Sequence, residues 1–390
     1  MEYEDALYSF INIENNNSKS SMNEFKSELV LNYSKNPLLE HLILHIKSYL
    51  KQNFSSKEKL KIETLTHFLK DNKFDIKTLK QITKNGIPDK LPCLRSIIWK
   101  TLIGYYPIND LTKWKFITLE HFNLYQNLKK YYKNFPNDLT DEEDLKTLSQ
   151  INKDIPRTRT EIDFFKEKSN FNKKETNYDI LRRILFFFSK RNPELNYVQG
   201  MNEIVAILYY IFSLDENVYM KPFVESDTFY SFEILIKEIK PVFMMSNINY
   251  SQLFITCQIR QVNDILKEAA PDLLNYFKEK NVIMDVFLMR WLIVLFAHEF
   301  TMEGSISFWD RLFTQKNKMK FICYISSAIL ILNKRKLMKM QMEEIVFWAQ
   351  EFGTIIKNNN IDDIVKTAFD IKAKIKKVPK KSGFLNFFFR

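Results

Sequence analysis

Apolar residues fall at helical intervals in a series of segments, and breaks rich in Gly, Pro or Asn separate them. Leu38, Leu39, Leu42, Leu44 and Leu50 predict a helix over Leu38–Leu50, and a second is expected over Lys57–Leu69. Residues 75–106 read as helix, turn, helix. Asn85-Gly86 ends the first with a residue suited to positive φ, Pro88 and Pro92 hold the linker extended, and Leu94–Gly104 forms the second. Asn134–Asp144 is turn-rich and acidic and predicts a surface loop. Asp154–Thr160 is another break, because Pro156 disfavours helical backbone at Ile155. Helical spacing resumes at Tyr178–Lys190, stops at Asn192-Pro193, and runs again from about Tyr197 to Phe212. Val286–Phe300 is apolar nearly all round, which predicts one buried central helix. Phe321–Leu332 has the same character, and Glu343–Ile356 closes the series. Residues 1–24 are polar and rich in Asn and Ser, a loosely ordered lead-in. The predicted fold class is all-α and multi-helical. No internal repeat stands out, which disfavours a solenoid.

Composition narrows the chemistry. With 45% hydrophobic and 15% aromatic residues, the 390-residue chain can bury a sizeable core. Its six glycines are too scattered for a dinucleotide fingerprint or a Walker loop, so the usual phosphate cradle is missing. Cys93, Cys257 and Cys323 are far apart and odd in number, which argues against a disulfide framework and fits a reducing compartment. Each sits among apolar residues and reads as core. His41 and His45 stand at i, i+4, but without an HExxH pattern or a third ligand they read as helix-face residues, and no metal site is expected.

Charge and hydropathy bound the partners. The 58 Lys+Arg against 47 Asp+Glu leave +11, which suits anionic membranes, acidic protein faces or nucleic acid. Much of the lysine lies near acids on solvated helical faces. No zinc finger, RNA-recognition signature or basic zipper is present, so nucleic acid is not expected as a partner. Ile204–Leu214 and Phe321–Asn333, the longest uncharged stretches, fall short of the ~18–20 residues that span a bilayer. Met1–Tyr8 carries Glu2, Glu4 and Asp5 and is no signal peptide. A cytoplasmic protein is expected, soluble or peripheral to endomembranes. The tail Lys372–Arg390 lacks acidic residues and ends in a phenylalanine cluster. Its first reading is a terminal segment docked on the domain; its second is peripheral contact with anionic membrane.

Two short segments carry the candidate chemistry. In the first, Ile151 to Thr158, Arg157 taken alone is a basic loop residue. Asp154 stands three residues earlier to hold the guanidinium or cap the loop, and Pro156 stiffens the approach. The second runs from Asn196 to Glu203. On a helix starting near Tyr197, Met201, Ile204, Val205, Leu208, Ile211 and Phe212 form one apolar stripe. Gln199 then falls on the opposite side with Asn202, Glu203 and Ala206, facing away from the core. By periodicity alone it reads as an N-terminal polar residue. Arg290, inside the most apolar stretch, needs a carboxylate, and Asp285 or Asp310 is the expected partner.

The two segments resemble the signature of the TBC domain, the GTPase-activating domain for Rab GTPases. The family's IxxDxxR stands here as Ile151-x-x-Asp154-x-x-Arg157, and its YxQ as Tyr197-Val198-Gln199. Other landmarks follow in family order. Gly86-Ile87-Pro88, Leu94-Arg95 and Trp99 look like the opening, and Ser226 to Phe232 like the middle block. Arg290-Trp291 through Phe300 and Phe308 to Phe313 look like the closing blocks. One departure is visible: family members often have proline a few residues after the arginine, whereas this chain continues Thr158-Arg159-Thr160.

The resemblance implies an N-terminal extension over 1–85, the TBC domain over 86–350, and a C-terminal helix with a basic-aromatic tail over 351–390. It implies a GTP-bound Rab as partner, whose hydrolysis is accelerated in trans, and a place in vesicle traffic. Arg157 would be the arginine finger and Gln199 the glutamine finger that orients water. Asp154, Tyr197 and Asn202 would support them or meet the Rab, and Arg95 and Trp99 would be architectural. GTP and Mg²⁺ are held by the Rab, so no cofactor of its own is implied. A catalytically weak Rab-binding adaptor and a membrane-associated scaffold are the alternatives.

Overall fold

The computed structural model describes residues 42–43, 46–47, 50, 55–70, 75–89, 91–169, 173–215, 217, 220–243, 248–352 and 361–377. Among them the regular elements are helical, with one isolated antiparallel bridge between Lys168 and Thr176. The lead-in 1–24, most of Leu38–Leu50, the His41/His45 pair and the tail beyond Lys377 lie outside the described residues. The chain divides into two compact units: Met1–Ser246 with Trp309–Thr314, and Asn247–Phe308 with Gln315–Arg390.

The first unit opens with α1 (Ser56–Lys70), α2 (Ile76–Thr83) and α3 (Pro92–Ile103). Asp75 caps α2 by accepting from the Lys77 and Thr78 amides, and Pro92 starts α3 where no amide partner is needed. Gly86 has φ +89, and a side chain there would meet the Arg311 guanidinium at 3.0 Å, so this turn requires glycine. The pattern reading singled out neither α4 (Lys113–Tyr131) nor α5 (Glu142–Asp154). In α4, Trp114, Thr118, Phe122 and Tyr125 repeat at helical spacing and are buried. The acidic run expected to be loop ends inside α5: Asp141 caps it, and Glu142, Glu143 and Asp144 sit in its first turn, where negative charge is favoured.

Next come α6 (Asn177–Arg191), α7 (Met201–Ser213) and α8 (Val224–Glu238). A reciprocal capping box of Thr176 and Asp179 starts α6. Helix α7 packs against α3, α6 and α8 and is buried on nearly every side. Its burial corrects the sequence reading of two faces, because Asn202, Glu203 and Ala206 are buried along with the apolar stripe. The helix also begins four residues later than expected.

In the second unit α9 (Ile248–Ala269) is followed by α10 (Pro271–Glu279) and α11 (Asp285–Ile293). The expected continuous helix over Val286–Phe300 is absent. It stops at Ile293 because Leu295 and Phe296 have φ of 51° and 59°, and consecutive left-handed residues cannot extend a right-handed helix. Val286 and Met289 are exposed. Glu299, in the segment after the break, is the partner of Arg290, with Nε at 2.6 Å and a second guanidinium nitrogen at 2.9 Å. Neither Asp285 nor Asp310 takes that role. Burial raises the Glu299 carboxyl to about 6, although Arg290 pulls it down.

Helix α12 (Met302–Leu312) is followed by α13 (Lys318–Leu332), α14 (Met342–Gln350) and α15 (Ile361–Lys377). Helix α13 packs on α9, α11 and α15. Lys372 belongs to α15, where it bonds Gln315 at 3.1 Å and lies 5.8 Å from the Phe321 and Phe369 ring centroids. Cys93 and Cys323 are buried, whereas Cys257 is exposed on α9, against the expectation that all three are core. No helix among the described residues is long and apolar enough to cross a membrane.

Candidate functional site

The end of α5 and the start of α7 meet through side chains that the local backbone forces into place. After α5 the chain makes a short 3-10 turn, Ile155–Arg157; Ile155 keeps right-handed helical backbone despite Pro156, against the expected break there, and the chain turns extended at Thr158. Thr158 closes it by donating its hydroxyl to the Asp154 carbonyl at 3.0 Å. Arg159 then takes φ 47°, in the left-handed region that arginine rarely enters. On the other segment Asn196 has φ 52°, and its own Oδ1 accepts from the Tyr197 amide at 2.7 Å. Gly200, at φ 99°, completes the corner that precedes α7. Residues 196–200 are therefore a tight loop, and Gln199 stands on that loop rather than on a helix face.

Cross-links join the loops. The Tyr197 hydroxyl donates to Asp154 Oδ2 at 2.7 Å, and Asn202 Nδ2 donates to Thr158 Oγ1 at 2.9 Å. The same Asn202 accepts the Gly200 amide through Oδ1 at 3.0 Å, which fixes the loop carrying Gln199. From the side, the Tyr178 hydroxyl of α6 donates to the Thr158 carbonyl at 2.6 Å. Asp154, Thr158, Tyr197 and Asn202 are all buried, so these bonds form where leaving them unmade would be costly. Burial, and then the hydrogen bond to Asp154, raises the Tyr197 hydroxyl pKa, so it stays a donor at any physiological pH.

Against this satisfied framework two side chains stand apart. Arg157 and Gln199 are exposed, and neither makes a hydrogen bond or ion pair among the described residues. Asp154 does not hold the Arg157 guanidinium, as the spacing had allowed; it accepts from Tyr197 instead. The two free groups are bracketed by the two cross-links, Arg157 between Asp154 and Thr158, and Gln199 between Tyr197 and Asn202. An exposed guanidinium and an exposed primary amide on rigid, mutually tied loops can stabilise negative charge and orient a small polar molecule presented from outside. Among the described residues no three His, Cys, Asp or Glu side chains gather in a metal-holding group.

Pattern reasoning missed four members of this cluster. Thr158 and Tyr178 gave no signal beyond their neighbourhood. Asn196 could have been found as a residue type that tolerates left-handed backbone before a helix. Arg159 pairs with Glu203, Nε lying 3.1 Å from Oε2, and approaches Glu161 at 3.5 Å. Nε–H does not point along the line to Oε2, so the contact with Glu203 is Coulombic more than hydrogen-bonded. Burial raises Glu203 to about 7, with Arg159 pulling it down and Glu161 and Asp154 pushing it up.

Arg95 and Trp99 belong to another cluster of the same unit, built on Asp310. That buried carboxylate accepts from the Ile87 amide at 2.8 Å, from Arg95 Nε at 3.1 Å and from Trp99 Nε1 at 2.8 Å. Arg95 also donates to the Ile87 carbonyl and to Asp89. All of these contacts but the one to exposed Asp89 turn inward, toward the junction of α3 with Trp309–Thr314.

Comparison with known proteins gives the family. The RabGAP-TBC family, the Rab-GTPase-TBC domain, matches residues 92–338, well over half the chain. TBC1 domain family member 13 of Mus musculus is 27% identical over 73% of this chain and 92% of its own length. GTPase-activating protein GYP1 of Saccharomyces cerevisiae is 29% identical over 69% of this chain and 42% of its own. Among solved structures, the Ypt/Rab-GAP domain of Gyp1p superposes with a TM-score of 0.69 at 25% identity, covering 82% of this chain and 99% of that one. The all-α fold is thus shared with that domain. With the family match spanning both loops and the Asp310 cluster, this chain belongs to the Rab-GTPase-TBC domain family.

Proposed function

We propose that this protein accelerates GTP hydrolysis by a GTP-bound Rab-family small GTPase, lending the Arg157 guanidinium and the Gln199 amide in trans, and so acts in vesicle traffic. The single observation that carries the reading is that these two side chains are exposed and, among the described residues, unpaired, while the residues that bracket them are buried and bonded to one another. As phosphoryl transfer proceeds, charge builds on the transferring group and on the leaving oxygen. A guanidinium brought to that charge in a site cleared of bulk water stabilises it more than it stabilises bound GTP, which lowers the barrier. Arginine fingers are worth about 10³–10⁵ in rate. The amide of Gln199 would accept from and donate to the attacking water, orienting it in line with the leaving oxygen. The nucleotide and its Mg²⁺ would be the partner's, so this chain contributes only positioned donors. GYP1 is by name a GTPase-activating protein, and membership of the same family supports carrying that activity over.

Single-turnover GTP hydrolysis by a panel of GTP-loaded Rabs tests the reading with wild type, Arg157→Ala and Gln199→Ala. The arginine change is expected to slow the accelerated rate at least ~10²-fold, since a contact made only in the transition state is removed. The glutamine change is expected to cost at least ~10-fold. Equal rates for all three proteins would instead make the chain a Rab-binding adaptor.

A further inference from the structure

We infer that the buried Arg159–Glu203 ion pair is the positioning device that sets the direction in which Arg157 leaves its turn, making Arg159 and Glu203 positioning residues for the activation reaction. The inference rests on the reading of Arg157 and Gln199 as the two groups lent to the partner. Its first ground is backbone conformation. Arg159 lies two residues beyond Arg157 at φ 47°, a left-handed conformation unfavourable for an L-residue that persists only where surroundings enforce it. The second is burial. The Arg159 side chain is 3% exposed and the Glu203 side chain 7%, so Glu203 is the buried counter-charge of Arg159, with Glu161 at 3.5 Å on the exposed side. The third is placement. Glu203 sits in the first turn of α7, immediately after the loop of Gln199, so the pair spans the same two segments as the Tyr197–Asp154 and Asn202–Thr158 bonds.

These links differ in kind. The two hydrogen bonds act on Asp154 and Thr158, which bracket Arg157, but neither fixes the chain after the turn. The ion pair does: it draws residue 159 inward while residue 157 points outward. Without it the left-handed corner loses its tie to α7 and is left to contacts on its own side, such as the Ile162 amide on the Arg159 carbonyl, so Arg157 can shift with its turn. Displacing a reacting group by about 1 Å can cost up to ~10²-fold in rate, so the pair belongs to the chemistry although it touches no substrate.

The pair also gives activation a pH dependence. The groups facing Glu203 are Arg159 and Glu161 from the loop, Asp154 from the end of α5, Tyr178 from α6 and Tyr197 from the second loop. Burial raises the carboxyl to about 7, so the ionised, clamping form predominates above that value. The accelerated rate, taken relative to the Rab's own, should therefore climb as pH rises through about 7. Stability moves the other way. A carboxyl whose folded pKa is raised favours the folded state below its ordinary pKa, and that contribution is lost as pH rises through about 7.

The test uses the full chain and whichever Rab the wild type accelerates most. Rates are measured at saturating and sub-saturating activator for Arg159→Met, Arg159→Gly, Glu203→Gln, the Arg159→Met/Glu203→Gln double variant, and Arg157→Ala. Arg159→Gly keeps the left-handed backbone accessible while removing the charge, so it reports even if the methionine variant melts. Each Arg159 variant is expected to lose about 10-fold in saturated rate with the half-saturating concentration within about twofold of wild type. The double variant should be no slower than either single change, and Glu203→Gln should flatten the rise with pH. Full saturated rates in the Arg159 variants, losses that multiply in the double variant, or a change confined to half-saturation would each overturn the inference. If Arg157→Ala itself runs at the wild-type rate, the proposed function fails. If it is inactive while the Arg159 variants are unimpaired, only the positioning role fails.

Discussion

The Asp310 cluster and the Arg157/Gln199 loops are built from the same materials to opposite ends. At Asp310, one buried carboxylate gathers an amide, an indole and a guanidinium, and the motif residues Arg95 and Trp99 are used up in holding the unit together. At the loops, buried bonds are made by the neighbours, Asp154, Thr158, Tyr197 and Asn202, and the motif residues Arg157 and Gln199 are left with no partner among the described residues. The difference teaches that a motif arginine declares its role by where its hydrogen bonds go. Arg95 has four donated bonds and points inward. Arg157 has none among the described residues and is exposed.

The sharpest way to break the comparison is Asp310→Ala. It strips the acceptor from Ile87, Arg95 and Trp99 at once and leaves Arg95, whose side chain is 4% exposed, with only the exposed Asp89 as counter-charge. A loss of about 3–5 kcal/mol is expected by chemical denaturation, together with loss of activation through unfolding. A loss below about 1 kcal/mol would mean the cluster is no keystone. Arg157→Ala is the opposite probe. Its stability should stay within about 0.5 kcal/mol of wild type, as for surface changes, while the accelerated rate falls at least ~10²-fold. A destabilised Arg157 variant would place that side chain with the Asp310 kind. Tyr197→Phe should fall between the two in stability, costing about 1 kcal/mol for one buried hydrogen bond to Asp154. Its rate should drop less than that of either Arg157→Ala or Gln199→Ala, because the Asn202–Thr158 bond still ties the loops. A rate loss as large as that of Arg157→Ala would mean the tyrosine does more than tie them.

Much of this was legible in the residues. The ordered short motifs point to the family, and helical spacing with capping and breaking residues marks α1, α3, α6 and α13 to within a few positions. What was not legible has physical causes. Apolar and polar positions keep helical spacing straight through Tyr197–Gly200, so periodicity cannot reveal that Asn196 and Gly200 turn left-handed and that Gln199 sits on a loop. The break in Val286–Phe300 is invisible because Leu295 and Phe296 are ordinary helix-compatible residues held at positive φ by tertiary packing. Arg290 finding Glu299, and Arg159 finding Glu203, are pairings across chain reversals, which local spacing does not encode. Faces fail for a related reason. Because α7 is buried on nearly every side, polar residues such as Asn202 and Glu203 face the interior, each with a partner there.

Arg157 is proposed to meet charge that exists in full only in the transition state of another protein's reaction. The most direct measurement is binding of the chain to a Rab loaded with GDP, with and without aluminium fluoride, which fills the γ-phosphate position as a mimic of the transferring group. Wild type is expected to bind tightly only when the mimic is present, and Arg157→Ala to lose at least ~10²-fold of that gain. Equal gain in the two proteins, or no gain in wild type, would contradict the account.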